Sequence, residues 1–474
     1  MGKNILIISE FIAPVQHIAA IRWTKYAKYL VKDCGCSVTV LTNQKDFKGS
    51  KGYLKTYPYD SSLERDDKWF ETVYIPLSMR QRLFNRIFSL GYRLLHRMQN
   101  KQSDNIGATG RLEHKKAAAR SSISNLFLNF LVSNNVPERV YELVDRFCGM
   151  ALVASGFHSK LDFSHFDIVI SSYGPRWPHD LALRLKQSYP QLFWVADFRD
   201  PIVYSEKTNT DAKRKLTRRF VDSADIVIGV SNGCLDNLYL DNKKEREVIY
   251  NGYDPEDVSK TPRKSSDRFN IVYTGTLYSD GDARRDLAPL YRAVNELIEE
   301  GTVDRKRLIC TYAGGSSHLF GEYVRRFPNV PFDDKGLLSR EEALSLQSEG
   351  SALIVSNWNT PVLKGGLSGK VFEYLSKDVP LIGLVSGSVP QSALRELIES
   401  CEAGVCYEEA DASSYERMKC FIAALYRDWN QSGVTTRGEH SMRLSSKYAY
   451  PKLAGALYDA MEKAQTGRVS ADLR

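Results

Sequence analysis

Apolar residues in this chain gather in short unbroken runs, and each run ends in a polar loop before a helical pattern begins. The run NILIIS (4–9) is followed by the loop EFIAPVQH (10–17), a helical stretch over about 20–31, and a second run, SVTVLT (37–42). Short apolar runs of this kind read as buried strands. Strand, helix, strand with no hairpin signal between them predicts a right-handed parallel βαβ unit. The pattern recurs at FDIVIS (166–171), LFWVA (192–196), DIVIGV (225–230) and 247–250, with a helical segment at 178–187. A doubly wound N-terminal domain follows.

The stretch DPEDVSKTPRKSSD (254–267) has Val258 as its one strongly apolar residue and contains two prolines, which predicts a linker. Beyond it the pattern restarts. FNIVYT (269–274), RLICTYA (307–313), ALIVS (352–356) and LIGLV (381–385) read as strands. Ser339 to Glu342 opens a helix with capping-box spacing, and another helix starts at Lys370. No 20–50-residue period recurs often enough for a solenoid. The expected fold class is therefore α/β, with two Rossmann-like doubly wound domains facing each other across a cleft: 1–256, carrying an insertion at about 78–150, and 257–474.

Composition narrows the picture. With 474 residues, 43% hydrophobic and 26% charged, the chain matches folded globular proteins and excludes disordered or collagenous classes. No apolar run approaches the ~18 residues that cross a bilayer, and the first run is too short for a signal-peptide core, so a cytoplasmic protein is expected. The eight cysteines show no paired CxxC set, which reads as reduced thiols and no metal site.

The net charge of +8 is local. Between 78 and 125 there are ten basic residues against Asp104 and Glu113, an excess equal to that of the whole chain. A nucleic-acid binder would look different, and no nucleic-acid partner is expected. Leu83, Ile87, Leu90, Leu94 and Met98 recur at helical spacing, with Arg82, Arg86, Arg93 and Arg97 along one border. This pattern over 80–98, opened by Arg80 and closed by Met98, reads as an amphipathic helix on an anionic membrane surface. An ordinary surface helix docked on the domain is the alternative.

Residues 10–20 hold no glycine, so the first βα turn is a poor pyrophosphate site. The glycine-bearing turns lie later: YTGTL (273–277), with Gly275 and Thr276; AGGS (313–316); and KGGLSGK (364–370). In the last, Gly365, Gly366, Ser368 and Gly369 run straight into a helix start. Unpaired backbone N–H groups and the positive end of the helix dipole would point at an anion there. Lys370 adds a charge, and Glu373, one turn on, is placed to accept from sugar hydroxyls of the same ligand. A plain Gly-rich connection is the alternative.

GKVFEYL (369–375) followed by PLI (380–382) resembles the GKxFEYL…P signature in a branch of the family 4 glycosyltransferases, which have the two-domain GT-B fold. DFRDP (197–201) is similar to that family's DxRDP, and VS (230–231) with VIYNGYD (248–254) to its VS…VIPNGxD. YTGTL with Arg284, Arg285 and Asp286 resembles GTLY…RRD, and GLLSREEA (336–343) resembles GxxSREEA. The resemblance spans nearly the whole chain outside 78–150.

It implies a sugar-nucleotide donor on the C-terminal domain, its diphosphate on the 366–370 turn and on Arg284 or Arg285. Glu373 would bind the ribose, and the loop from Gly336 to Leu338 would lie by the base. The acceptor would occupy the N-terminal domain. Family members commonly carry another glutamate where this chain has Gly365, and a Gly pair where it reads Gln16-His17-Ile18-Ala19.

Lysine, arginine and helix N–H groups stabilise a leaving diphosphate without a metal, so no metal cofactor is expected. Retaining transfer asks for no strong protein base. Inverting transfer would, and Asp200 or Asp197 is then the candidate. His17, on the loop after the first strand, is a candidate contact or base. A basic interfacial helix suggests a lipid-linked acceptor in cell-surface polysaccharide assembly, at the inner face of the cell membrane. A sugar-nucleotide 2-epimerase and a non-catalytic membrane scaffold are the rival readings.

Overall fold

The first sheet is built from β1 (Asn4–Ile8), β2 (Ser37–Thr42), β5 (Glu71–Tyr74), β6 (Ile168–Ser172), β7 (Phe193–Phe198), β8 (Ile226–Gly229) and β9 (Arg246–Val248). Two short strands, β3 (Ser50–Lys51) and β4 (Thr56–Tyr57), pair antiparallel apart from it. Its order is β5-β2-β1-β6-β7-β8-β9. β1 lies parallel between β2 and β6, with Ile5 opposite both Val38 and Ile168. Ile5 through Ile8 are wholly buried. A central parallel strand covered on both faces has no polar side to alternate, so the run is continuous.

The computed structural model describes residues 2–15, 17–43, 50–51, 56–57, 61–75, 146, 149–200, 202, 210–238, 244–258, 265–278 and 284–472. The arginine-edged helix expected over 80–98 lies outside them, as do nearly all of the 78–150 insertion, Gln16, and part of the 254–267 segment. Among the described residues no helix is long and apolar enough to cross a membrane. By packing, the chain divides into two units: Met1–Val31 with Gly35–Ala196, and Asp197–Arg474 with Lys32–Cys34.

The second sheet holds β10 (Phe269–Thr274), β11 (Leu308–Ala313), β12 (Phe332–Asp334), β13 (Ala352–Trp358), β14 (Leu381–Ser386) and β15 (Gly404–Glu408). Its order is β12-β11-β10-β13-β14-β15, and its pairings are all parallel. Alternate residues of one strand enter different cores. Phe269, Ile271 and Tyr273 of β10 join Leu290, Phe320, Met418 and Trp429, from the helices Ala288–Glu299, Ser317–Arg326 and Ser414–Ser432. Val272 joins Val371, Phe372, Leu394 and Ile398, from Gly369–Leu375 and Ala393–Ser400. Side chains of a strand alternate between faces, so helices cover both faces of this sheet.

In each sheet the strand order reverses beside the first strand, between β1 and β6 and again between β10 and β13. Loops at the carboxyl ends flanking such a reversal diverge and leave a crevice, which is where open α/β sheets bind ligands. Four strand ends flank these reversals: those of β1, β6, β10 and β13.

Candidate functional site

At the carboxyl end of β10, the Lys370 ammonium donates to the Thr274 carbonyl at 2.7 Å. Gly275 follows with φ +148°, and a Cβ there would collide with the Lys370 ammonium. The missing side chain makes room for the charge. Thr274 is held in turn by its hydroxyl, which meets the Tyr374 hydroxyl at 2.7 Å and accepts from Gln347 Nε2 at 3.1 Å in the interior. Lys370 is exposed as a residue, yet its ammonium is crowded by protein. Desolvation, and next the nearby Arg285 guanidinium, pull its pKa down from 10.5 to about 8, while Glu373 acts in the opposite sense.

The other glycine turns converge on the same strand end. Tyr312 donates its hydroxyl to Gly275 O at 3.0 Å and accepts from Ser316 N at 2.9 Å. Gly314 N donates to Gly336 O at 2.8 Å, and a Cβ on Gly314 would run into Gly275 O. Gly336 itself sits at φ +62°, its N–H held by Asp334 Oδ1 at 2.9 Å. Beyond it Leu338 is half-buried, whereas Leu337 is 84% exposed. An apolar side chain held out beside these turns was not visible in the motif, which points to Gly336 and Leu338.

The two arginines part company. Arg285 Nη1 donates to Thr276 O at 3.1 Å, and its guanidinium lies 4.9 Å from the Tyr278 ring centre and 5.3 Å from that of Trp358, the last residue of β13. Nearby aromatic rings attract a cation without neutralising it. Arg284 instead gives two hydrogen bonds to Glu409, at 2.8 and 2.7 Å, and Glu409 also accepts from Gly387 N at 2.8 Å.

The Gly-rich loop is anchored through its carbonyls. Ser231 Oγ donates to Gly365 O, Asn237 Nδ2 to Lys364 O at 3.2 Å, and Asn357 Nδ2 to Gly366 O. The loop delivers the chain to the helix Gly369–Leu375, where the N-cap residue Ser368 makes no side-chain capping bond. First-turn N–H groups without a side-chain cap are what an anion would use. Glu373, three residues past Lys370 and so on its face of the helix, is paired with Arg340 at 3.5 Å.

No protein-family model matches the sequence, and no curated protein matches it either. Solved structures do. The N-terminal domain of trehalose-6-phosphate phosphatase from Candida albicans aligns over 98% of this chain and 97% of its own, at 11% identity and a TM-score of 0.58. A UDP-forming α,α-trehalose-phosphate synthase from Burkholderia xenovorans aligns over 98% and 100%, at 12% identity and 0.55. The lipopolysaccharide outer core galactosyltransferase WaaB in its apo form aligns over 97% and 99%, at 11% identity and 0.52. At such identities the likeness is one of fold. The chain has a GT-B type fold of two parallel-sheet α/β domains.

Lys370, Gly275, Thr276, Arg285, Gly336, Gly366, Ser368, Gly369 and Glu373 thus lie on turns and helix starts around one end of the second sheet. Arg284 and Leu338 border the same end, Arg284 through Glu409 and Gly387 just past β15 and β14, while His17, Asp197 and Asp200 lie with the first sheet. His17 stacks on Phe11, ring centres 4.1 Å apart, and its Nδ1 accepts from Ala19 N at 3.2 Å, a helix-capping contact for Ile18–Lys32. Asp197 is wholly buried within β7; Asp200, just past the strand, is 42% exposed at its side chain and pairs with Arg199 at 3.2 Å. Glu10 is not one of the sequence candidates. It is 3% exposed in the loop after β1, and its carboxylate accepts from Trp177 Nε1 at 2.6 Å. A carboxylate directly after a buried strand was the one signal available.

Proposed function

We propose that this protein is a glycosyltransferase that takes a sugar from a nucleoside-diphosphate sugar and passes it to a lipid-linked or oligosaccharide acceptor. One observation carries the reading: the Lys370 ammonium rests on the carbonyl that ends β10, at the strand-order reversal of the second sheet and at the first turn of a helix entered through a Gly-rich loop. Charge, helix N–H groups and crevice converge there as a diphosphate requires.

The chemistry follows from these groups. Breaking the glycosyl–phosphate bond puts negative charge on the leaving diphosphate. Lys370 and Arg285, both held in place before any ligand arrives, stabilise that charge without reorganising. Glu373 accepts from the ribose hydroxyls, and the 336–338 loop, with exposed Leu337, covers the base. Proteins of similar fold include a UDP-forming trehalose-phosphate synthase and a galactosyltransferase. Retention is the stereochemical outcome we favour, since it asks for no strong protein base; Asp200 then braces Arg199. The acceptor is assigned to the loops at the carboxyl ends of the first sheet, around His17.

The arginine-edged segment 80–98, read as an amphipathic helix from its sequence pattern alone, would bring the enzyme to the cytoplasmic membrane face, where a lipid-linked acceptor for surface polysaccharide would lie. Gln at Arg82, Arg86, Arg93 and Arg97 should then abolish salt-sensitive binding to anionic vesicles. The donor reading is tested by thermal shift against a panel of nucleoside-diphosphate sugars. A ligand at 100 times its dissociation constant stabilises by about 2.7 kcal/mol, so a true donor raises the melting temperature measurably. No shift with any of them would refute it. Isomerised sugar nucleotide formed without acceptor would point to an epimerase instead.

A further inference from the structure

Arg340 has no place in the donor site as read from sequence, yet its guanidinium meets the Glu373 carboxylate at 3.5 Å, both side chains about a quarter exposed. Its backbone position is well fixed. It is the first residue of the helix Arg340–Glu349, whose start carries a full capping box: Ser339 Oγ accepts from Glu342 N at 3.3 Å, and Glu342 Oε2 accepts from Ser339 N at 2.8 Å.

The contact is not needed to dock that helix. Lys377 Nζ already ties the segment after Leu375 to Ser348 Oγ at 3.0 Å, and Gln347 reaches Thr274 in the interior. The ion pair therefore does something other than pack two helices. A carboxylate near a diphosphate is repelled by it and swings away unless a cation restrains it. A planar guanidinium restrains direction as well as charge, which an ammonium does less well. An ionised carboxylate offers about four acceptor positions, so one contact at ion-pair distance leaves the rest for vicinal hydroxyls.

We propose that Arg340 is a positioning residue that aims the Glu373 carboxylate at the ribose hydroxyls of a bound nucleoside diphosphate, so that the pair sets the preference for ribonucleotides over deoxyribonucleotides. The inference rests on the donor reading given above, and its test separates the two.

The full chain is titrated by calorimetry with UDP, GDP and ADP, their 2′-deoxy and 3′-deoxy counterparts, and inorganic pyrophosphate. The parent binds at least one ribonucleotide, and loses about tenfold or more on removal of a hydroxyl that pairs with a charged group. Arg340→Gln brings that ratio close to one, as does Glu373→Gln, while pyrophosphate affinity and melting temperature stay near the parent's. The double variant adds nothing further, because the two act through one contact. Arg340→Lys restores part of the ratio. An Arg340→Gln protein that keeps the parent ratio, a parent that binds without discriminating, or an equal loss of pyrophosphate affinity overturns this inference and leaves the donor site standing. A parent that binds none of the nucleotides overturns both.

Discussion

Gly365 and Gly233 meet backbone to backbone: a Cβ on Gly365 would stand 2.6 Å from Gly233 Cα, and one on Gly233 would stand 2.7 Å from Gly365 Cα. Gly365 also holds φ +68°. The position where the family resemblance leads one to expect a glutamate is thus closed to any side chain. On the donor reading proposed above, any sugar contact at this position comes from backbone groups.

Gly365→Ala should therefore destabilise by about 2 kcal/mol or more, from left-handed backbone strain plus overpacking. Gly365→Glu should be worse, with no gain in transfer. Melting curves decide it; an alanine variant as stable as the parent means the two loops are not packed this way.

Lys370 should impose an alkaline limit. It must carry charge to meet a diphosphate, and its ammonium loses its proton as pH rises through about 8. kcat/KM for donor should fall above that pH. Lys370→Arg should push the limb upward, since guanidinium stays protonated, and Lys370→Ala should cost ~10²-fold in turnover at pH 7. A parent profile flat to pH 9.5 would sink the assignment.

Arg285 and Arg284 are adjacent and should behave differently. Arg285→Leu removes the cation beside Tyr278 and Trp358 and should lower turnover ~10²-fold with little change in stability. Arg284→Leu breaks a largely solvent-facing pair with Glu409, so its effect on stability should stay within about 1 kcal/mol and its effect on turnover should be the smaller of the two. Steady-state kinetics on both variants, beside their melting temperatures, checks the order.

His179 should make the first unit acid-sensitive. Its ring is wholly buried, Nδ1 lies 2.9 Å from Ser171 Oγ, and desolvation lowers its pKa from 6.5 to about 3. The unfolded chain takes up the proton below about 6.5 and the folded chain only near 3. Stability from this group is therefore intact above 6.5 and falls by about 1.4 kcal/mol per pH unit as pH drops through that window. His179→Gln should show a shallower loss of melting temperature between pH 6.5 and 4.5 than the parent; equal slopes would contradict the burial argument.

Much of the fold is written in local pattern. The β1, β2, β10 and β13 runs read as strands because each is short, rich in β-branched or aromatic residues and bounded by polar loops, which suits a strand covered on both faces, and their parallel pairing agrees with the absence of hairpin turns. Ser339 and Glu342 form the capping box their spacing announces. Weakly patterned elements were not legible. The helix Asp211–Ser223 buries only Thr217, Phe220 and Val221, and β5 and β12 are sheet-edge strands of four and three residues.

What the sequence alone determined, then, is the class of fold, the glycine turns, and Lys370 and Glu373 on one face of a helix start. All of these depend on residues within a few positions of one another. Tertiary structure decided which arginine stays beside the β10 end, that Arg340 answers Glu373, that Thr274 anchors Lys370, and that Gly365 admits no side chain. Those partners lie 33 to 132 residues apart along the chain. Charge and shape fix such pairings only once the strand order has brought the loops to the same end of the sheet, and no local periodicity encodes that order.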